Sequence, residues 1–204
     1  MSEIINCFPG YEYIPVGKDG KPHNMYRGTD VGFGGYVYAE PGFYTNVALI
    51  DIASMHPTSI VLLNKLGDYT QRYADLRKAR VFIKHEDYDS AGNLFDGKLK
   101  KYLASKEEAE ELSKALKLPL NAFFGISCAS YDNPARDSRD VNNIIALRGA
   151  LFMRTLQDEI INRGFKVIHI KTDSIKIPNA TKEIVDFCQE FGKKYGYDFE
   201  FEAL

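Results

Sequence analysis

Apolar positions change their spacing several times along the chain, and each change marks an element. In "GFGGYVYAEPGFYTNVALIDIAS", residues 32–54, two aromatic and β-branched runs are broken at Glu40-Pro41-Gly42. That pattern predicts a strand, a turn and a second strand ending near Asp51. Residues 56–65, opening "HPTSIVLL", predict a helix with Pro57 in its first turn. A helix is expected over 68–85. Tyr69, Tyr73, Leu76 and Ile83 share one side of it, and Arg77, Arg80 and Lys84 share another. "DYDSAGNLFDGK" reads as a connector. A second basic helix runs from about 105 to 125 on the stripe Leu112, Leu116, Leu120 and Phe123. Pro119 falls inside it and should kink or interrupt it, at a cost of about 3 kcal/mol. A third helix over 141–163 follows, then a hairpin in "VIHIKTDSIKIP", a helix over 181–195 and a terminal strand "YDFEFEA". Residues 1–30, rich in Gly, Pro, Asn and Asp, read as a loop-rich segment. Strands and helices alternate without a strict βαβ rhythm. The fold class is therefore α+β, an antiparallel or mixed sheet backed by helices.

Composition narrows the picture a little. The chain has 204 residues, 45% hydrophobic and 26% charged, the usual mix of a soluble globular protein. No apolar run is long enough to predict a membrane span, and the N-terminus predicts no signal peptide. Cys7, Cys128 and Cys188 are scattered and odd in number, which points to a reducing, cytoplasmic-type compartment and away from a disulfide framework. Four scattered histidines offer no zinc spacing. The formal net charge of −2 neither announces nor excludes a nucleic-acid partner, because local basic faces matter more than the total.

Three short stretches carry possible chemistry. In "DIASMHPTSI", Asp51 closes an apolar strand directly before a helix. It reads either as a cap or as a metal ligand, with the Ile52 carbonyl as a second oxygen. In "KLPLNAFFG", Lys117, Asn121 and Gly125 recur every four residues and share one helical face. A lysine there can meet a polyphosphate, and a bare glycine lets a flat base pair approach. An ordinary amphipathic helix with a glycine near its end is the plainer reading. In "KTDSI", Asp173 is either turn punctuation or a second ligand.

Together these stretches resemble motifs A, B and C of family B DNA polymerases. The matching positions are Asp51-x-x-Ser54-x-x-Pro57-x-Ser59-Ile60, then Lys117-x3-Asn121-x2-Phe124-Gly125, then Thr172-Asp173-Ser174. "GFGGYVYAEPGFY" resembles the YxGG region of that family, with Gly32 where tyrosine would stand. The resemblance spans roughly residues 32–204. It implies a palm at 31–66 and 127–204, an inserted fingers subdomain at 67–126 and, after the loop-rich 1–30, no thumb. It further implies template-directed transfer of dNMP to a primer 3′-hydroxyl, with pyrophosphate released. Two Mg²⁺ ions about 3.5–4 Å apart serve that reaction by clamping the attacking and leaving oxygens. Mn²⁺ is able to substitute. By resemblance, Asp51 and Asp173 are the catalytic carboxylates, and Asp51, Ile52 and Asp173 hold the metals. Lys117, Arg77 and Arg80 meet the triphosphate, and Asn121 and Gly125 line the nascent base pair. Ser54 and His56 lie at the substrate. Primer–template DNA and dNTP are the implied partners.

Three positions depart from the family pattern. His56 replaces a tyrosine that packs under the deoxyribose, so steric exclusion of a 2′-hydroxyl is weakened. Lys171 replaces the first aspartate of DTD, which adds positive charge beside the metals, offers a further phosphate contact and removes an oxygen ligand. Pro119 disturbs the helix that carries Lys117. With neither a proofreading exonuclease nor a thumb in view, the expectation is a split or truncated polymerase core. Its partner is a second polypeptide carrying thumb or exonuclease, and phage or viral replication in a host cytoplasm is a natural home. Three alternatives stay open: a non-catalytic palm-like scaffold of a replication complex, a different two-metal enzyme such as a nuclease, and a plain interaction domain.

Overall fold

The computed structural model describes residues 1–129, 131, 133 and 143–203. The chain divides into two compact units. The first holds residues 1–55 and the segments from the third long helix onward, and the second begins at His56.

The first unit opens differently from its sequence pattern. Residues expected to be loop form a short helix α1 (Ser2–Cys7) and a three-stranded antiparallel sheet of β1 (Glu12–Ile14), β2 (His23–Tyr26) and β3 (Thr29–Asp30). These strands have two to four residues, too few for an alternation to register. Side chains reinforce the sheet where the ladder is short. The His23 ring lies between two carboxylates, with Nδ1 2.6 Å from Asp30 Oδ2 and Nε2 2.8 Å from Asp19 Oδ1. Hydrogen bonding to Asp30 and then Asp19 raises the His23 pKa, and the bond from His23 lowers that of Asp19. The bridge therefore stabilises fully below the ordinary histidine value of 6.5 and is lost as pH rises through the raised value. On the acid side it is lost as pH falls through the lowered Asp19 value, below the ordinary 3.8. Amide protection in β2, relative to an unstructured amide, should peak at mildly acid pH and decline from pH 6.5 to 8. His23→Gln should flatten that profile; an unchanged profile in the variant would remove His23 as the cause.

The main sheet has five antiparallel strands in the order β4 (Val37–Ala39), β6 (His169–Lys171), β7 (Ser174–Pro178), β5 (Val47–Ile52), β8 (Phe199–Ala203). One face carries Ala48, Ile50, Ile52, Ile170, Ile175 and Ile177, all buried. Each isoleucine taken fully out of water contributes about 1.5–3 kcal/mol. Helix α6 (Ile144–Asn162) is buried along most of its length. Its start matches the expected helix from Ile144 on; positions 141 and 142 lie outside the described residues. Asn143 caps it, accepting from the Ala146 amide. Phe152 on α6 is the hub of an aromatic cluster with Phe191 on α7 (Lys182–Lys194), Tyr195, Tyr197 and Phe199. Gly149 lets α6 come close to Met55, three residues past β5, because a Cβ there would stand 2.5 Å from Met55 Sδ.

The second unit is helical. It takes up α2 (Met55–Leu62) from His56 onward and continues into α3 (Thr70–Lys84), α4 (Tyr88–Asn93) and α5 (Lys106–Ser127). The expected connector after α3 is instead α4 followed by a 3-10 turn at Phe95–Gly97. Asp87 caps α4 by accepting from the Ser90 amide. Ala91, Leu94 and Phe95 of this stretch join Ala79, Ile83, Ala109 and Leu116 in one core. Tyr69, expected on the apolar side of α3, is 71% exposed and precedes the helix. Ser105 starts α5 by accepting from the Glu108 amide, with Glu108 at the position of a capping box. α5 is one helix through Pro119, so the expected interruption does not occur. Next to that residue the buried Tyr73 hydroxyl donates to the Leu120 carbonyl at 2.8 Å, which braces the helix from α3. Burial raises the Tyr73 pKa and keeps this donor protonated.

Candidate active site

Asp51 and Asp173 are 122 positions apart in sequence, yet antiparallel pairing makes them near neighbours. Asp51 on β5 lies directly opposite Ser174, the first residue of β7. The next residue on β5, Ile52, donates its amide to the Asp173 carbonyl at 2.9 Å. Directly opposed residues of an antiparallel pair share a face. The row Val37, Lys171, Ser174, Asp51, Glu200 therefore crosses the sheet on the side away from Ile50 and Ile175. Lys171 is exposed and stands two strands from Asp51, about 9.5 Å at the backbone. Its side chain stands on the same face of the sheet as that of Asp51. Glu200, opposite Asp51 on β8, is an acidic neighbour that no spacing pattern in the sequence isolates.

The hairpin between β6 and β7 is tighter than turn propensities alone suggest. Only Thr172 and Asp173 separate the paired Lys171 and Ser174. Thr172 has φ 58°, and the Asp173 amide donates to the Lys171 carbonyl at 2.7 Å. Positive φ with a hydrogen bond across two residues is the rare, strained kind of γ-turn. It falls on a β-branched residue, for which this region is least favourable. Ser54, after β5, also has positive φ at 58°.

The donor set suits a hard divalent cation. Two carboxylates, Asp51 and Asp173, and the carbonyl of Ile52 are all oxygen donors, and Mg²⁺ takes one or two carboxylates with substrate phosphates and water. Among the described residues no group of three or more His, Cys, Asp or Glu gathers to hold a metal. Two carboxylates are thus the set in hand, and substrate oxygens would complete the coordination.

The remaining sequence-predicted residues lie in the second unit. Lys117, Asn121 and Gly125 are all exposed and share one face of α5. Arg77 and Arg80 are half-buried on α3, unlike the solvated Lys84. The His56 ring packs on Phe124, with ring centroids 4.0 Å apart and planes tilted by 45°. Phe124 lies off the Leu112–Leu116–Leu120–Phe123 stripe, so periodicity passes over its contact with His56.

No family model matches the chain. It is 29% identical over 159 residues to DNA polymerase II of Escherichia coli (strain K12), covering 69% of this chain and 19% of that polymerase. Its fold matches that of the family B DNA polymerase from the hyperthermophilic archaeon Pyrobaculum calidifontis. The TM-score is 0.57 at 15% sequence identity, over 90% of this chain and 27% of the archaeal one. The fold is α+β, with antiparallel sheets and helices and, among the described residues, no closed barrel. In sequence and in fold, the chain resembles part of a family B DNA polymerase. It spans about a fifth of the length of DNA polymerase II.

Proposed function

We propose that this chain is the palm-and-fingers core of a template-directed DNA polymerase, transferring dNMP from dNTP to a primer 3′-hydroxyl with release of pyrophosphate. The observation that carries this reading is the placement of Asp51 on β5 beside Asp173 in the β6–β7 turn, joined through the Ile52–Asp173 hydrogen bond. In this reading residues 31–66 and 127–204 are palm and 67–126 are fingers. Asp51, Asp173 and the Ile52 carbonyl would hold two Mg²⁺ ions, with Mn²⁺ able to substitute. When bound, such ions lower the pKa of the attacking hydroxyl and neutralise the leaving pyrophosphate. Lys117, with Arg77 and Arg80, supplies fixed positive charge for the triphosphate, where charge develops as the bond breaks. Asn121 and Gly125 line the base pair, and Ser54 lies at the substrate. Lys171 adds a phosphate contact. Phosphate contacts supply much of the affinity for duplex DNA. The reading therefore includes a further grip on primer–template, from a second polypeptide carrying a thumb or exonuclease or from flanking sequence.

Primer extension with Mg²⁺ and dNTPs, on this chain alone and with a thumb-bearing polypeptide, tests the proposal. Extension in either setting is expected, and its absence from both would leave the second reading, a palm-like scaffold of a replication complex. The observation favouring that second reading is Lys171, an ammonium on the face where Asp51 stands.

His56 provides a separate check. Its ring, backed by Phe124, would form the floor under the sugar. His56→Ala should raise ribonucleotide incorporation relative to deoxyribonucleotide by roughly tenfold, the low end of what steric pockets discriminate. Phe124→Ala should move the ratio the same way by loosening the ring. Equal ratios in parent and both variants would remove His56 from sugar selection.

A further inference from the structure

The strained turn that presents Asp173 is locked from the stretch that resembles the YxGG region, through its last glycine, Gly35. Gly35 has φ +135°, a conformation that side-chain-bearing residues rarely adopt. A Cβ at Gly35 would stand 2.9 Å from Thr172 Cγ2, 2.9 Å from Oγ1 and 3.2 Å from Cβ. The bare α-carbon of Gly35 is thus the seat on which the Thr172 side chain rests. The next residue completes the lock, since the Thr172 amide donates to the Tyr36 carbonyl at 3.0 Å. Tyr36 is itself fixed: it is buried, and its hydroxyl donates to Gln157 of α6 at 2.8 Å. On the other side, the Asp173 carbonyl accepts from Ile52, next to Asp51. A continuous line of support therefore runs from α6 through Tyr36 and Gly35 to Thr172, Asp173 and β5.

We propose that Gly35 and Thr172 form a positioning interlock that sets where Asp173 stands relative to Asp51. The proposal rests on the polymerase reading only for what Asp173 does, not for the lock itself. It accounts for a β-branched residue in a left-handed turn. A glycine at position 172 would relieve the backbone strain, but it would leave the notch above Gly35 empty and free the turn to shift. Both act through the placement of Asp173, as positioning residues.

The test uses the full chain and the Thr172→Gly variant, with Thr172→Ser as the conservative replacement. Three quantities are measured: the melting temperature, amide exchange at Ile52, and Mn²⁺ affinity by paramagnetic resonance. Thr172→Gly should melt at or above the parent temperature, because positive φ favours glycine. Exchange at Ile52 should nevertheless quicken by tenfold or more, while Ile170 and Ile175 stay protected. Mn²⁺ binding should weaken several-fold, and Thr172→Ser should recover part of both effects. Unchanged exchange at Ile52 in Thr172→Gly would overturn the interlock. So would a fall in melting temperature matched by faster exchange across the whole sheet, which would mark an ordinary packing contact. Failure of the polymerase reading looks different: Asp51→Asn and Asp173→Asn would leave Mn²⁺ binding unchanged, while exchange at Ile52 still reports the lock.

Discussion

Asp173→Asn should reduce primer extension at least about 10³-fold, some 4 kcal/mol of lost transition-state stabilisation, without unfolding the chain. The substitution is nearly isosteric. The backbone bonds that hold the turn, Asp173 amide to Lys171 carbonyl and Ile52 amide to Asp173 carbonyl, do not involve the carboxylate. What changes is one negative charge and one strong oxygen donor. Asp51→Asn should behave alike, and the double variant should lose little more than either single one, because residues that act as a unit are not additive. Extension rates from the two single variants, beside circular dichroism of each, decide the matter. Activity within tenfold of the parent in a folded Asp173→Asn chain would sink the assignment.

The second large effect is on stability. Phe152→Ala should cost about 3–5 kcal/mol and lower the melting temperature on the order of 10 °C. Phe152 is fully buried, and its ring centroid lies 4.7 Å from Tyr197 and 5.4 Å from Tyr195, with Phe191 and Phe199 at 6.0 Å. Truncation would leave a void bordered by four rings from α7, β8 and the turn between them, which cannot all collapse inward together. Phe152→Leu should cost much less by keeping most of the volume. Thermal melts of the two variants separate cavity formation from loss of aromatic contact. A shift of less than 2 °C for the alanine variant would mean that the cluster does not hold the first unit together.

These two residues also mark what the sequence could and could not reveal. Asp51 and Asp173 stand out because each ends or interrupts an apolar run, and their order beside Lys117 and Asn121 matched a known pattern. Their adjacency could not be read from spacing, because it depends on which strands pair. Phe152 sits in a helix so apolar that periodicity could not single it out as a hub. At Pro119 the interruption, one of the two expected outcomes beside a kink, does not occur for a physical reason: propensity penalises proline, whereas a buried core and the Tyr73 bond to Leu120 hold the helix around it. The small N-terminal sheet was missed because its strands are short and rely on His23 between Asp19 and Asp30. The contact of Gly35 with Thr172 joins residues 137 positions apart through the lack of a side chain, and composition cannot signal that.

The order of the main sheet has a kinetic consequence. β5 pairs with β7 and β8, so its partners emerge only after the whole second unit has been made. The equilibrium penalty for so large an insertion is modest, since each doubling of a closed loop costs about 0.6 kcal/mol. The folding rate is more sensitive, because distant strand pairings must wait for loop closure before any contact repays it. The helices of the second unit, whose partners are close in sequence, can form while β5 still lacks neighbours. In the interval β5 has unpaired backbone edges and an uncovered apolar face of Ala48, Ile50 and Ile52, both able to recruit other chains. Refolding yield should therefore fall with protein concentration, through the strand that carries Asp51.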